Sequence, residues 1–174
     1  WPPTQQVIFA SQFGILVLLS ILLAYKKMLS GQSVQAGIYL SLSLIKPSIA
    51  LPFLIFPLVK RQWKILSIVL GIHILATTIA SSIVGSTPWT IIFEWLKMAR
   101  YVTQSLYTLQ EILNRLAWEN TTLGNVLIFS FLCGVLCLCW YKRNSDNRCL
   151  FDFLCFVSVI WTYHSGADFI VLIP

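Results

Sequence analysis

Lys46 is the residue with most to explain. It lies inside the apolar run 38–59 and is followed at once by Pro47. Placing a lysine at the centre of a bilayer costs roughly 2.5–3.5 kcal/mol on insertion scales. Such a group needs a partner. An ammonium there can bind a phosphate or a carboxylate; the alternative is a side chain that snorkels to the headgroups. The second group lies at residues 161–168, Trp-Thr-Tyr-His-Ser-Gly-Ala-Asp. His164 and Asp168 are four apart, so a helix puts them on one face. A histidine–carboxylate pair can do acid–base work or hold a metal, and Gly166 loosens a helix between them. The alternative is an interfacial cap with Trp161 and Tyr163 as belt aromatics. Gln12, close to Gly14 in the first apolar run, serves equally as a contact between helices or as a contact to substrate.

The remaining polar groups read as structural. His73 stands alone among Ile72, Ile74 and Leu75, the setting of a histidine that hydrogen-bonds a neighbouring helix. Asp152 closely follows a basic loop, where a helix N-terminus favours an acid. Cys133 and Cys137, four apart on an apolar run, are small packing residues in preference to a metal or redox site. The triplet Asn120-Thr121-Thr122 fits the glycosylation pattern but arises often by chance.

These groups must be positioned by helices in lipid. The 174 residues are 57% hydrophobic and only 10% charged, against about 25% charged in a soluble domain. The apolar runs reach the roughly 20 residues that a spanning helix requires. No period-2 alternation competes, and backbone satisfaction in lipid favours helices. The expected fold is all-α: a polytopic transmembrane helical bundle forming a single membrane domain over residues 1–174. Helices are expected at 7–25, 34–46, 47–59, 65–84, 123–141 and 150–163, with another starting at 168–174. Residues 85–122 are expected to form an outer, extracytoplasmic loop. Within it Trp89, Phe93, Trp95, Met98, Tyr101 and Val102 recur mostly at spacings of three and four, an amphipathic helix suited to the interface. The chain opens on Trp1 and closes on Pro174 inside an apolar stretch, and it reads as a fragment of a longer protein. The run 7–24 is too long for a signal-peptide core and leads into Lys26-Lys27 without a small-residue cleavage site.

The net charge of +6 does not point to nucleic acid, because the charges sit in short loops between apolar runs. Those loops carry Lys26-Lys27, then Lys60-Arg61 with Lys64, then Lys142-Arg143 with Arg148. If 34–59 were one span, the first two would fall on opposite sides of the membrane, against the positive-inside rule. If the run breaks at Lys46-Pro47 into a broken or re-entrant hairpin, all three face the cytoplasm. Pro47 removes an amide donor and disfavours helix just before it. Each arm then rises only about 18–20 Å, short of the roughly 30 Å hydrocarbon core. Lys46 and residues 164–168 fall toward the same, outer side.

Three segments resemble glycosyltransferase family 87, integral-membrane enzymes of the GT-C class. Residues 37–64, Gly-Ile-Tyr-Leu-Ser-Leu-Ser-Leu-Ile-Lys-Pro-Ser-Ile-Ala-Leu-Pro-Phe-Leu-Ile-Phe-Pro-Leu-Val-Lys-Arg-Gln-Trp-Lys, resemble the family's Lys-Pro segment with its basic-Trp loop. Residues 163–174, Tyr-His-Ser-Gly-Ala-Asp-Phe-Ile-Val-Leu-Ile-Pro, are similar to its Tyr-His-Arg-x-x-Asp-x-x-x-Leu-x-Pro segment. Ser11-Gln12-Phe13 is similar to its Gly-Gln-Asn element. Ser165 stands where the family often has Arg and Ser11 where it usually has Gly; both departures bear on the phosphate contact.

The resemblance implies a GT-C-like fold and transfer of a hexose, often mannose, from a polyprenyl-phosphate-sugar donor. The acceptor would be a lipid or glycan, at the extracytoplasmic face of the plasma membrane. Lys46 would neutralise the donor phosphate as charge develops on the leaving group. His164 would hydrogen-bond phosphate or sugar, Asp168 would orient His164 or bind sugar, and Tyr163 and Gln12 would complete the substrate site. No metal or other cofactor is required. The family's general base is an acidic residue of its first outer loop, and the resemblance assigns that role to no residue here; it is expected upstream.

Two other classes remain open at this point. A transporter also uses broken helices and a mid-membrane charge, but it predicts an inverted repeat, and only one segment carries a Lys-Pro break. A non-catalytic scaffold subunit predicts that Lys46, His164 and Asp168 do not converge.

Overall fold

The computed structural model describes residues 3–103 and 121–161, and among these every regular element is helical. The helices are α1 (Pro3–Leu29), α2 (Ser33–Ser43), α3 (Pro47–Ala50), α4 (Ile55–Val59), α5 (Trp63–Val84), α6 (Pro88–Thr103), α7 (Thr121–Tyr141) and α8 (Asn147–Trp161), with a 3₁₀ turn at Leu51–Leu54 between α3 and α4. The all-α expectation therefore holds. Among the described residues one helix, α5, is long and apolar enough to cross a membrane by itself, with a mean hydropathy of 1.9.

The core follows helical spacing. On α1 the buried residues are Val17, Ile21, Ala24 and Met28; on α8 they are Leu150, Phe151, Leu154 and Val157. The α1 series steps by three or four, and the α8 series steps by three from Phe151 with Leu150 beside it, which keeps one stripe inward. Between those stripes lie α2 and the 47–59 segment, contributing Ala36, Leu40, Ile49, Ala50, Phe53, Phe56 and Val59. α5 is different. Ile74, Leu75 and Ile83 are 58%, 61% and 80% exposed, an apolar surface that a water-soluble chain rarely displays contiguously.

Residues 47–59 are fragmented for a local reason. Pro47, Pro52 and Pro57 recur every five residues, and each lacks the N–H that would continue an α-helical ladder. The result is α3, the 3₁₀ turn and α4 in place of one helix. α2 stops at Ser43, short of 46, because its last turn tightens: the N–H groups of Leu44, Ile45 and Lys46 donate to the carbonyls three residues back, at 3.2 Å each. Such tightening is a common way to satisfy helix-end carbonyls.

Two contacts fix how this segment runs. Gly37, near the start of α2, meets Ile65 and Ile68, near the start of α5: a Cβ built on Gly37 would lie 2.7 Å from Ile68 Cγ2. The beginnings of α2 and α5 are thus at one level, and residues 44–62 leave that level and return to it. Gly37 permits the approach because it has no Cβ.

The two turns at this level and the end of α5 share one cap. Gln32, Gln62 and Ser86 donate their backbone N–H to carbonyls five residues back, Lys27, Pro57 and Ser81 at 2.9, 2.8 and 3.0 Å. In each the intervening residue is left-handed: Gly31 (φ 73°), Arg61 (φ 56°) and Gly85 (φ 69°). This is the Schellman closure; the third example ends α5 at its far end, ahead of α6. α6 starts at Thr87-Pro88, where the Thr87 hydroxyl accepts the Thr90 N–H at 3.2 Å, a hydroxyl cap before a proline at the first helical position.

Candidate functional site

Lys46 sits in the gap between α2 and α3, at φ −118° and ψ 82°. Those angles leave the helical region, as expected for a residue before proline. Its carbonyl accepts the N–H groups of Ile49 and Ala50 at 3.1 and 3.2 Å, so the break is a capped junction and not a loose loop. The side chain is half-buried. The footing beneath it is closed: Ser43, Ile49 and Ala50 have no exposed surface. Ser43 is satisfied within its own helix, its hydroxyl donating to the Leu40 carbonyl at 2.7 Å; Ser41 does the same to Gly37 at 2.8 Å.

α3 is the shared neighbour of three elements: α1, α2 and α8 all pack against it. Those are the helices that carry Gln12, lead into Lys46, and lead toward His164. At 1.5 Å per residue, Lys46 lies about 20 Å above the start of α2, and Trp161 about 21 Å above the start of α8. Gln12 lies about 26 Å along α1 from Leu29 by the same measure. The three helices therefore bring these positions to neighbouring heights at one end of the bundle. The backbone of Gln12 belongs to α1. Tyr163, His164 and Asp168 lie outside the described residues.

The opposite end collects the basic loops. The Lys60 ammonium donates to the Arg143 carbonyl at 2.7 Å and to that of Ser145 at 3.4 Å, tying two loops that are far apart in sequence. The Arg61 and Arg143 guanidinium groups lie 5.5 and 4.9 Å from the Trp140 ring centroid, within cation–π range. Just inside them Tyr25 stacks on Phe151 at 4.1 Å and meets Phe56 edge-on at 5.5 Å. Tyr25 is close to Lys26-Lys27, Phe56 to Lys60-Arg61 and Phe151 to Arg148. All three basic loops thus lie at one end, with eight of the twelve Lys and Arg residues and only two of the six acids, Asp146 and Asp152.

Several secondary expectations change. Asp152 is exposed in the second turn of α8; the N-terminal cap is Asp146, whose carboxylate accepts the Arg148 N–H at 3.2 Å. The Asn-Ser-Asp-Asn run before an apolar stretch carried that signal, since Asp is a favoured cap. His73 Nε2 is enclosed and has no hydrogen-bond partner among the described residues. Cys133 and Cys137 are exposed on α7, whereas Cys139 is buried, and all three are free thiols. No three His, Cys, Asp or Glu side chains gather into a metal-binding group among the described residues. On α6, Trp89, Phe93 and Trp95 are 71%, 67% and 51% exposed.

Comparison with known proteins gives one match. The model of glycosyltransferase family 87 matches residues 2–163. No curated protein and no solved structure matches the chain. The matched stretch contains Gln12, Lys46 and Tyr163 and ends just before His164. A match over nearly the whole chain, on a helical framework broken at Lys46-Pro47, places this protein in glycosyltransferase family 87, a family of membrane-associated glycosyltransferases.

Proposed function

We propose that this protein is a multi-pass membrane enzyme that moves a hexose, mannose in the first instance, from a polyprenyl-phosphate-sugar to a lipid or glycan acceptor at the extracytoplasmic face of the plasma membrane. The observation that carries the reading is the separation of charge along the bundle. Eight basic residues crowd one end, while Lys46 lies about 20 Å away along α2. By the positive-inside rule the crowded end faces the cytoplasm. Lys46 then lies beneath the outer surface, where a lipid-linked phosphate enters from the membrane. The exposed apolar face of α5 suits lipid contact, and the aromatic face of α6 suits the interface.

In this reading the bond from the anomeric carbon to the donor phosphate oxygen breaks as the acceptor hydroxyl attacks. The electron pair stays on the polyprenyl phosphate, and the acceptor proton passes to a base that is not assigned here. The Lys46 ammonium stabilises the charge growing on that phosphate, so no cofactor is needed at the leaving group. His164, Asp168, Tyr163 and Gln12 bind and orient the phosphate and sugar. A scaffold subunit would not need a cation at this height, and a transporter that used one would move its substrate without transferring a sugar.

The test is transfer of labelled hexose from polyprenyl-phosphate-hexose by the full chain in membranes. Lys46→Ala should lower turnover about 100-fold or more, the range for loss of one preorganised charge-stabilising donor. Expression should stay level, and Lys46→Arg should restore part of the rate. Undiminished transfer by a well-expressed Lys46→Ala protein overturns the assignment. Topology is tested separately. A cysteine at 46 should react with an impermeant reagent only from outside, and cysteines at 60–64 only from inside.

A further inference from the structure

The end of the bundle away from Lys46 holds a feature that sugar transfer does not use. α7 and α8 are joined by a short loop, yet both pack against the 47–59 segment. Between them lies an open groove of about 260 Å³, lined by Leu138, Lys142, Cys149, Leu150 and Phe153 among others. The lining is apolar apart from Lys142 and Ser145. The Lys142 ammonium lies 5.6 Å from the Tyr141 ring centroid, and Tyr141 itself is 80% exposed. Arg148 is exposed on the first turn of α8.

We propose that this groove seats one anionic phospholipid from the leaflet that meets the basic end. The phosphate pairs with Lys142 at the rim, and part of an acyl chain lies along Leu138, Leu150 and Phe153. Charge complementarity selects this occupant. The end carries eight cationic side chains against Asp146 and Asp152, and the Asp146 carboxylate already accepts the Arg148 backbone N–H. Lys60 is bonded to two neutral carbonyls, which leave its charge uncancelled. Basic pockets between membrane helices on the cytoplasmic side are suited to anionic headgroups. The volume is below the roughly 300–1,000 Å³ of small-molecule pockets, which favours a strand of hydrocarbon over a compact ligand. Trp140 and Tyr141 immediately precede Lys142 at the end of α7, the belt position in which interfacial aromatics sit. The inference rests on the basic end facing a lipid leaflet, but not on the chemistry assigned to Lys46.

The test is native mass spectrometry of the full chain released from micelles doped with phosphatidylglycerol or phosphatidylcholine. The parent should retain phosphatidylglycerol at least about fivefold over phosphatidylcholine. Lys142→Gln should bring that ratio close to one. Cys149→Trp, placed in the groove at an exposed position, should lower retention of both lipids. Lys27→Gln, at the same end but outside the groove, should leave the ratio unchanged. Size-exclusion profiles and melting midpoints identify any variant that fails to fold, and Lys142→Gln changes only an exposed side chain. Retention of phosphatidylglycerol by Lys142→Gln and Cys149→Trp at the parent level overturns the proposal. So does equal retention of the two lipids by the parent, and so does displacement of the lipid by millimolar inorganic phosphate. Because sugar transfer is not the readout, failure here leaves the Lys46 assignment standing, and the reverse also holds.

Discussion

At the basic end, Tyr25, Phe56 and Phe151 bring three chain segments into ring contact, and Lys60 reaches across to the carbonyls of Arg143 and Ser145. At the Lys46 end, the backbone itself makes the structure: a tightened last turn, a non-helical residue and a proline. Bulky side chains lock the first region from sequence-distant partners. The second is set by a few local dihedrals on a floor of small or fully enclosed residues, Ser43, Ile49 and Ala50. The difference separates two tasks. One end holds the helices together and, in the proposed topology, sets their orientation, while the other presents a charged group without burying it completely.

The strongest way to break this comparison is to remove the aromatic keystone. Phe151 is 7% exposed and touches both Tyr25 and Phe53. Phe151→Ala should cost about 3–5 kcal/mol, the usual range for a buried phenylalanine. A fluorescence-detected melt of the full chain in detergent would read this as a large fall in midpoint. A melt matching the parent would mean that the basic end does not hold the bundle.

The next effect tests how the two ends are spaced. Gly37→Val places branched carbon where Ile68 already stands, and α2 and α5 must separate. Overpacking of this kind costs about 1–3 kcal/mol. It should also move Lys46 relative to α8, since α2 leads directly into the break. The expected result is a moderate fall in midpoint with a larger proportional loss of sugar transfer than Phe151→Leu produces. Equal proportional losses in the two variants would uncouple the α2–α5 contact from the position of Lys46.

How much of this was legible in the sequence differs between the two ends. The break at Lys46 was legible because its cause is local: proline restricts the residue before it wherever it stands. The helical class was legible from apolar runs without alternation. The aromatic lock was not, since Tyr25, Phe56 and Phe151 are more than thirty residues apart in each pairing except by folding. Fragmentation of 47–59 into short pieces could have been read from Pro47, Pro52 and Pro57, whose regular spacing forbids one continuous helix. Asp146 as the cap of α8 could have been read from the polar run before it, where Asp is a favoured cap. That His73 Nε2 has no hydrogen-bond partner among the described residues could not be read, because it depends on which helix lies beside α5. At the candidate site, Lys46 and the backbone of Gln12 reach neighbouring heights, while Tyr163, His164 and Asp168 lie beyond the described residues.

The smallest effect concerns the two matched turns at the basic end. Gly31 and Arg61 occupy the same left-handed cap position, at φ 73° and 56°. Glycine takes that conformation without steric cost, whereas an L-residue with a side chain pays about 1–2 kcal/mol. Arg61 is retained there although glycine serves one turn away, and its guanidinium lies 5.5 Å from the Trp140 ring centroid. An exposed cation–π contact contributes about 0.5–1 kcal/mol, less than the backbone strain. Arg61→Gly should therefore raise the melting midpoint slightly, by the equivalent of up to about 1.5 kcal/mol after the lost ring contact is subtracted. It also removes one cation from the end that sets orientation, so topology labelling at 60–64 should lose some uniformity while the melt improves. A lower midpoint would show that the ring contact outweighs the strain. The basic end would then be held by its charges on Trp140 as much as by its buried rings.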